Sequence, residues 1–303
     1  MESRPYQGMH DLYAMLDLLT EGYKANTSTH YVHRGDLQWW LFYSDIPLDT
    51  WLSEIQLWFE NESLIGWALL SREGKSFDVF VRPHLRGSEC EREILDWSLE
   101  HMSAVENLQS IWVAEQDDMR IRWLEQNGFT LEPAFTQHLK RSLSGPLDGP
   151  ALPEGFSIRS SRGEEDARLR AACSHAAFGS AKPFDEYWPR TLRFMQSPVY
   201  VPEHEIFVVA PSGEVAAYCI IWIDEVTKLG HFEPVGTHPK FQRQGLGKCL
   251  LYEGFRRLKS EGMTEADVCT NHDNPPAIGL YESVGFQKFQ RLLIYQKGVS
   301  NDN

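Results

Sequence analysis

The clearest periodic pattern of apolar residues lies in the last third of the chain. Apolar residues recur at steps of three and four, which predicts an amphipathic helix over about 245–259 with one buried face. They are Leu246, Leu250, Leu251, Phe255 and Leu258. The stretch 228–235 before them reads as an apolar strand, and a glycine-rich turn joins the two. We therefore expect a strand–turn–helix unit whose first helical N–H groups have no intrahelical partner.

A similar pattern occurs 156 to 157 residues earlier, around a helix predicted at about 89–102. The apolar positions of that helix are Cys90, Ile94, Leu95, Leu99 and Met102. Upstream, each half places two apolar strands around a short turn, at 55–60 and 64–70 in the first half and at 205–210 and 215–223 in the second. An internal match of this length predicts two copies of one fold.

A segment rich in proline and glycine, 142–155, divides the chain near its middle. A length of 303 residues suits two domains. We predict a first domain over residues 1–142, a linker over 143–155 and a second domain over 156–303.

The glycine-rich turn, 242–248, has the features of an anion site. Gly245 and Gly247 carry no side chains that would cover the helix start, and Arg243 and Lys248 add positive charge. A P-loop is excluded because Gln242 and Cys249 occupy its required glycine and Ser/Thr positions. A dinucleotide fingerprint is excluded because Leu250 replaces its third glycine. The turn does satisfy the pattern Gln/Arg-x-x-Gly-x-Gly/Ala.

Two further elements follow in the order Asn274-x-x-Ala277 and Leu280-Tyr281-Glu282-x-x-Gly285-Phe286. Together with the turn, they resemble the GNAT superfamily of acetyl-CoA-dependent N-acetyltransferases over about residues 205–297. The resemblance implies an α/β (α+β) protein with two tandem GNAT-like domains. Each domain would contain a mixed, mostly antiparallel twisted sheet flanked by helices.

The resemblance also implies where acetyl-CoA binds in the second domain. The backbone at 235–237 would pair with the pantetheine arm, although this strand could also be an ordinary sheet member. The turn would hold the pyrophosphate, and Asn274 would cap a helix and contact the cofactor, or only cap. The implied cofactor-binding residues are Val235, Gly236, Thr237, Gln242, Arg243, Gln244, Gly245, Leu246, Gly247, Lys248, Asn274 and Tyr281.

Two residues are candidates for proton transfer, Tyr281 from the resemblance and Glu233 from its place in the strand before the turn. The Tyr281 hydroxyl would protonate the departing CoA thiolate, or the ring would only pack on the cofactor. Glu233 would deprotonate the amine directly or through water, or would be a solvated strand carboxylate. His231 and His238 are weaker candidates for the base, and His238 is expected to serve the turn before Pro239.

The first copy lacks these features. Glu89 and Glu91 stand where the second copy has Gly245 and Gly247, and carboxylates there would repel a pyrophosphate. Leu124 replaces Tyr281. We expect the first domain to bind no acetyl-CoA and to act as support and as a wall of the substrate cleft.

Charge and cysteine usage narrow the possible partners. The net charge is −14, with 12 Lys+Arg against 24 Asp+Glu in residues 1–150 and 17 against 19 in the remainder. This balance disfavours nucleic acid. No apolar run reaches the roughly 18 residues of a membrane helix, and the first residues show no signal-peptide pattern. Five scattered cysteines without a Cys-x-x-Cys pair favour reduced thiols, no metal and a cytoplasmic location.

The sequence thus predicts an N-acetyltransferase that moves the acetyl group of acetyl-CoA to an amine of a small molecule. Acetylation of a protein or peptide is the alternative within the class. An acyl-CoA-binding or interaction protein without turnover is the alternative outside it. We expect a monomer or a homodimer.

Overall fold

The computed structural model describes residues 1–25, 31–45, 50–71, 75–102 and 108–298. In the first half the described elements are β1 (Glu2–Pro5), α1 (Met9–Ala25), α2 (Arg34–Phe42), α3 (Trp51–Glu54), β2 (Ile55–Glu60), β3 (Ser63–Ser71), β4 (Ser76–Val81), α4 (Glu89–Met102), β5 (Leu108–Ala114), α5 (Asp118–Gln126) and β6 (Thr130–Ser142). None of the described helices is long and apolar enough to cross a membrane.

The second half repeats this order, except that no α-helix among its described residues corresponds to α3. Its elements are β7 (Ser157–Ser160), α6 (Ala167–Ala177), α7 (Phe184–Met195), β8 (Glu205–Val209), β9 (Val215–Asp224), β10 (Leu229–Thr237), α8 (Leu246–Ser260), β11 (Glu265–Asn271), α9 (Pro275–Ser283) and β12 (Gln287–Gly298). The predicted strand at 228–235 is β10, which runs two residues further because Thr237 still pairs with Ala217. The predicted helix at 245–259 is α8, and it begins after Gly245 because that residue is the left-handed N-cap.

The strands form one mixed sheet in the order β1-β2-β3-β4-β5-β12-β6-β11-β10-β9-β8-β7. The pairs β4–β5 and β10–β11 are parallel, and the other pairs are antiparallel. The predicted fold class is confirmed. The last strands of the two halves are exchanged: β6 pairs with β11 of the second half, and β12 pairs with β5 of the first. The domain limits at 142 and 156 stay a prediction.

The two repeated helices, α4 and α8, bury the stripes that their periodicity predicts. All five predicted apolar residues of α8 are buried, together with Phe232 of β10 and Val268 of β11. In α4 three of the five are buried and two, Cys90 and Leu99, are partly buried. Each helix is therefore held to its own part of the sheet by apolar burial.

A third apolar cluster joins the halves. Helices α1 and α2 of the first half pack with Phe194, Ile220 and Trp222 of the second. Trp39 stacks on Tyr43 with ring centroids 3.9 Å apart, and Phe194 meets both rings edge-on. The cluster thus holds α2 against α7, β9 and β10.

Candidate functional site

A groove of about 580 Å³ opens where β10 and β11 separate. The two strands pair only from Leu229 to Phe232 on the β10 side, and the register of β10 against β9 then shifts before Val235. The groove brings together Val235, Gly236, Thr237, Gln242, Arg243, Gly245, Leu246, Gly247, Lys248, Asn274 and Tyr281. Gln244 lies exposed in the same turn and is not among the residues lining the groove. The groove therefore contains nearly all of the cofactor residues named from the sequence.

The turn at one end of the groove exposes the N-terminus of α8. Gly245 has φ +80° and makes no side-chain cap, and a Cβ placed there would meet no atom within 4 Å. Gly247 is tighter, since a Cβ would lie 3.0 Å from Leu280 Cδ2. The uncapped N–H groups of this fifteen-residue helix, with Arg243 and Lys248 beside them, make this end of the groove favourable for an anion.

Helix α9 forms the opposite wall. Asn274 caps it by accepting a hydrogen bond from the Ala277 N–H at 3.3 Å, so the capping role is confirmed. Tyr281 lies in the last turn of α9, is buried, and packs edge-on to Phe286. Burial raises the pKa of Tyr281 above its usual value, and the nearby Glu233 and Cys269 raise it further. The phenol therefore stays protonated at neutral pH.

A second cavity, of about 410 Å³, lies between the two halves. We call it the central cavity. Its lining includes Asp36 and Trp40 of α2, Asp78 of β4, Trp112 of β5, Thr136 and His138 of β6, Glu233 of β10 and Cys269 of β11. Helix α2 reaches it because Gly35 lets the helix approach Trp222: a Cβ at Gly35 would lie 2.3 Å from Trp222 Cγ.

Glu233 sits in the wall of the central cavity, at the register shift of β10. Trp222 Nε1 donates to the backbone carbonyl of Glu233 at 2.7 Å and fixes that irregular segment. Burial and the nearby Asp36 raise the pKa of Glu233 to about 7, and His231 only partly opposes them. Glu233 is therefore not a freely solvated carboxylate, and it exchanges a proton near neutral pH.

His231 is buried between two carboxylates. Its Nδ1 lies 2.7 Å from Asp267 Oδ1, and its Nε2 lies 3.0 Å from Asp36 Oδ1. Burial alone would lower the pKa of His231, but Asp36 and Asp267 raise it well above its usual value. The imidazolium is thus a fixed cation, which makes it a poor proton acceptor. The sequence signals neither carboxylate, because Asp36 comes from the other copy and Asp267 from the parallel neighbour of β10.

The same cluster has three atoms of metal-ligand type. The ligand atoms of Asp36, His231 and Cys269 lie within 4.8 Å of one another. Both ring nitrogens of His231 already face carboxylates. Ion pairs of His231 with Asp36 and Asp267 therefore explain why these side chains lie close together. The predicted absence of a metal stays a prediction.

His238 lies in the turn after β10. Its side chain accepts a hydrogen bond from the Lys240 N–H at 3.1 Å, so its predicted role in the turn is confirmed.

The start of α4, the counterpart of the α8 turn, is closed by its own side chains. The Glu91 carboxylate accepts from the Gly87 N–H at 2.6 Å and pairs with the buried guanidinium of Arg120. Arg86 pairs with Asp117, the cap of α5. Only Glu91 turns inward, since Glu89 is exposed. The position that would receive an anion is therefore filled by a carboxylate of the chain itself.

Comparison with known proteins agrees with this geometry. Residues 170–286 match the acetyltransferase (GNAT) family. A mycothiol acetyltransferase from Streptomyces coelicolor is 26% identical over 288 residues, which span 93% of this chain and 90% of the relative. A tandem GNAT protein from the clavulanic acid biosynthesis pathway superposes with TM-score 0.71 at 15% identity, covering 100% of this chain and 99% of that one. A GCN5-related N-acetyltransferase from Sphaerobacter thermophilus gives TM-score 0.67 at 19% identity, covering 98% and 95%.

The chain thus has the tandem GNAT fold, and the groove and its glycine turn lie in the second copy. The segment from within α6 to just past α9 matches the GNAT acetyltransferase family, whose members use acetyl-CoA. The matched segment and the mycothiol acetyltransferase relatives support an acyltransferase activity.

Proposed function

We propose that the second copy transfers the acetyl group of acetyl-CoA to an amine of a small molecule bound in the central cavity. One observation carries the proposal. Tyr281 lines the groove, Glu233 lines the central cavity, and the charge of Glu233 raises the pKa of Tyr281. The phenol of Tyr281, in the groove, is thus within electrostatic range of the Glu233 carboxylate, in the central cavity, whose pKa is about 7.

The groove supplies the cofactor site. The backbone of 235–237 has no β11 partner and can pair with the pantetheine arm. The N–H groups of the turn and the charges of Arg243 and Lys248 would hold the pyrophosphate. Asn274 and Tyr281 would contact the arm nearer the thioester. The proposed cofactor residues are those named from the sequence, with Gln244 contributing through its backbone.

The central cavity supplies the acceptor site. The amine nitrogen attacks the acetyl carbonyl carbon, and the bond from that carbon to sulfur breaks. Glu233 takes the proton that the amine gives up, directly or through water, and Tyr281 protonates the leaving thiolate. The products are an amide and CoA with a free thiol, and solvent returns the proton from Glu233 to Tyr281.

Two observations support a small acceptor. A cavity of about 410 Å³ with walls from both halves matches the size of small-molecule sites. Mycothiol, for which the S. coelicolor relative is named, is itself a small molecule.

The test is release of CoA thiol from acetyl-CoA across a panel of small amines and peptides, with mass spectrometry of the products. We expect acetylated small amines in equal amount to the thiol released. Acetylation of peptides alone would contradict the proposed acceptor class. Tight acetyl-CoA binding without turnover on any amine would contradict the enzyme assignment.

A further inference from the structure

The central cavity contains a second buried carboxylate that the proposed reaction does not use. Asp78 of β4 is 6% exposed, and its Oδ1 has no hydrogen-bond partner in the part of the chain that the structure describes. Burial raises the pKa of Asp78 to about 7, although Arg120 partly opposes the shift. A buried polar group without a partner lowers stability, so a position of this kind needs an explanation.

Asp78 is the counterpart of Glu233 in the first copy. The apolar residues that flank the two sites correspond, Phe77 with Phe232 and Val79 with Val235. In β4 a single residue stands between them, whereas β10 has the dipeptide Glu233-Pro234 at its register shift. Each copy therefore presents a carboxylate from the same position of its sheet into the cavity that they share.

The two carboxylates are only partly compensated: Arg120 acts on Asp78 and His231 acts on Glu233, and neither of these cations lines the cavity. Among the described residues that line it there is no lysine or arginine. Asp36 is already paired with His231. Burial lowers the pKa of His138, so that imidazole is neutral near pH 7. The rest of the wall includes Trp40, Trp51 and Trp112, whose ring faces attract cations.

We propose that Asp78 binds a second cationic group of the acceptor, so that the preferred acceptor is a diamine or a similar dication without a carboxylate or phosphate. The inference rests on the proposed function, in which the reacting amine lies at Glu233. An ammonium next to Asp78 supplies the missing hydrogen-bond donor and favours the ionised carboxylate. The cavity would reject an anionic acceptor, since its charge would meet two carboxylates in a buried site.

Binding tests this proposal without any need for turnover. Diaminoalkanes of three to six carbons and the monoaminoalkanes of equal length are titrated calorimetrically into the protein saturated with CoA. We expect the best diamine to bind at least about tenfold more tightly than its matched monoamine, as for a charge-assisted hydrogen bond. An ω-amino acid of the same length should bind more weakly than the monoamine.

Asp78→Asn should bring diamine affinity down to the monoamine level and leave monoamine affinity unchanged. The matched control is Asp118→Asn, which removes the same charge from the exposed first turn of α5. Asp78→Ser serves as a second variant, and thermal unfolding checks that both variants fold. Removing the unpartnered carboxylate should leave stability equal or higher.

Equal binding of diamines and monoamines by the wild type would overturn the inference. So would a loss of diamine affinity of the same size in Asp78→Asn and Asp118→Asn. The proposed function fails separately: tight, Asp78-dependent diamine binding without acetylation would keep this inference and contradict acetyl transfer. Acetylation of monoamines with no preference for diamines would support acetyl transfer and contradict the role of Asp78.

Discussion

At the scale of single residues, burial prepares the two candidate groups for opposite tasks. It raises the pKa of Tyr281, so the phenol keeps a proton to donate, and it raises the pKa of Glu233 to about 7, so the carboxylate can accept one. The sequence predicts both residues, because Tyr281 lies in a recognisable motif and Glu233 lies in the strand before the glycine-rich turn. The sequence misses Asp36 and Asp78, since only tertiary structure brings the first copy against β10.

Tyr281→Phe tests the proposed general acid. The change keeps the ring that packs on Phe286 and removes only the hydroxyl. We expect kcat to fall by roughly 10² with little change in acetyl-CoA affinity, because the proton transfer is made in the transition state. Steady-state kinetics with chemistry shown to be rate-limiting would measure this, and full turnover by the variant would remove Tyr281 from the mechanism.

The pH dependence tests Glu233. A base must be ionised, and the raised pKa of Glu233 means that kcat/KM should rise as the pH increases through about 7. Glu233→Gln should lower the rate and lose this limb of the profile, leaving only the titration of the acceptor amine. The pH profiles of wild type and variant on one acceptor are the measurement. An unchanged limb in the variant would assign that titration to another group.

At the scale of elements, α4 and α8 are equivalent helices of the two copies, and they differ in the side chains at the N-terminus. Their apolar stripes and positions on the sheet were predictable from periodicity and the internal repeat. The sequence also predicts that carboxylates prevent anion binding in the first copy, through charge repulsion.

The structure adds a second cause. The Glu91 carboxylate accepts a hydrogen bond from the Gly87 N–H and pairs with Arg120, so it occupies the position that an anion would take. Side-chain direction at a helix start depends on its neighbours, which sequence spacing does not supply.

Gly247→Glu carries the first copy's carboxylate into the second. The new charge would meet a diphosphate at close range, so acetyl-CoA affinity should fall by about 100-fold or more. Gly247→Ala is the matched control: its Cβ needs only a small shift of the flexible Leu280 side chain, so we expect a loss of less than about tenfold. Calorimetric titration measures both. Similar affinities for the two variants would contradict a pyrophosphate at this turn.

At the scale of the whole molecule, the exchanged last strands make the two copies interdependent. β6 lies between β11 and β12 in the sheet. The composition of the linker that follows β6 does not predict this position. Strand exchange between repeated units cannot be read from periodicity, because either last strand presents a comparable pattern. The central cavity depends on the same exchange, since β6 contributes Thr136 and His138 to its wall.

Separating the copies should therefore unfold the second one. A fragment of residues 143–303 lacks β6, so the backbone of β11 would lose its antiparallel partner along its whole length. We expect this fragment to show no cooperative thermal transition, and expression together with residues 1–142 to restore one. Circular dichroism during heating is the measurement. A stable, cooperative fragment would show that the exchange is dispensable.

All the proposed residue roles require acetyl groups to pass from acetyl-CoA in the groove of the second copy to an amine in the central cavity. The most direct measurement supplies acetyl-CoA labelled in its acetyl group and follows the label, with the Gly247→Glu variant in parallel. We expect the label to appear in the amine in equal amount to the CoA released, and we expect Gly247→Glu to lose this transfer at acetyl-CoA concentrations that saturate the wild type. Transfer by Gly247→Glu at the wild-type rate, or thiol release without labelled amine, would contradict this path of the acetyl group.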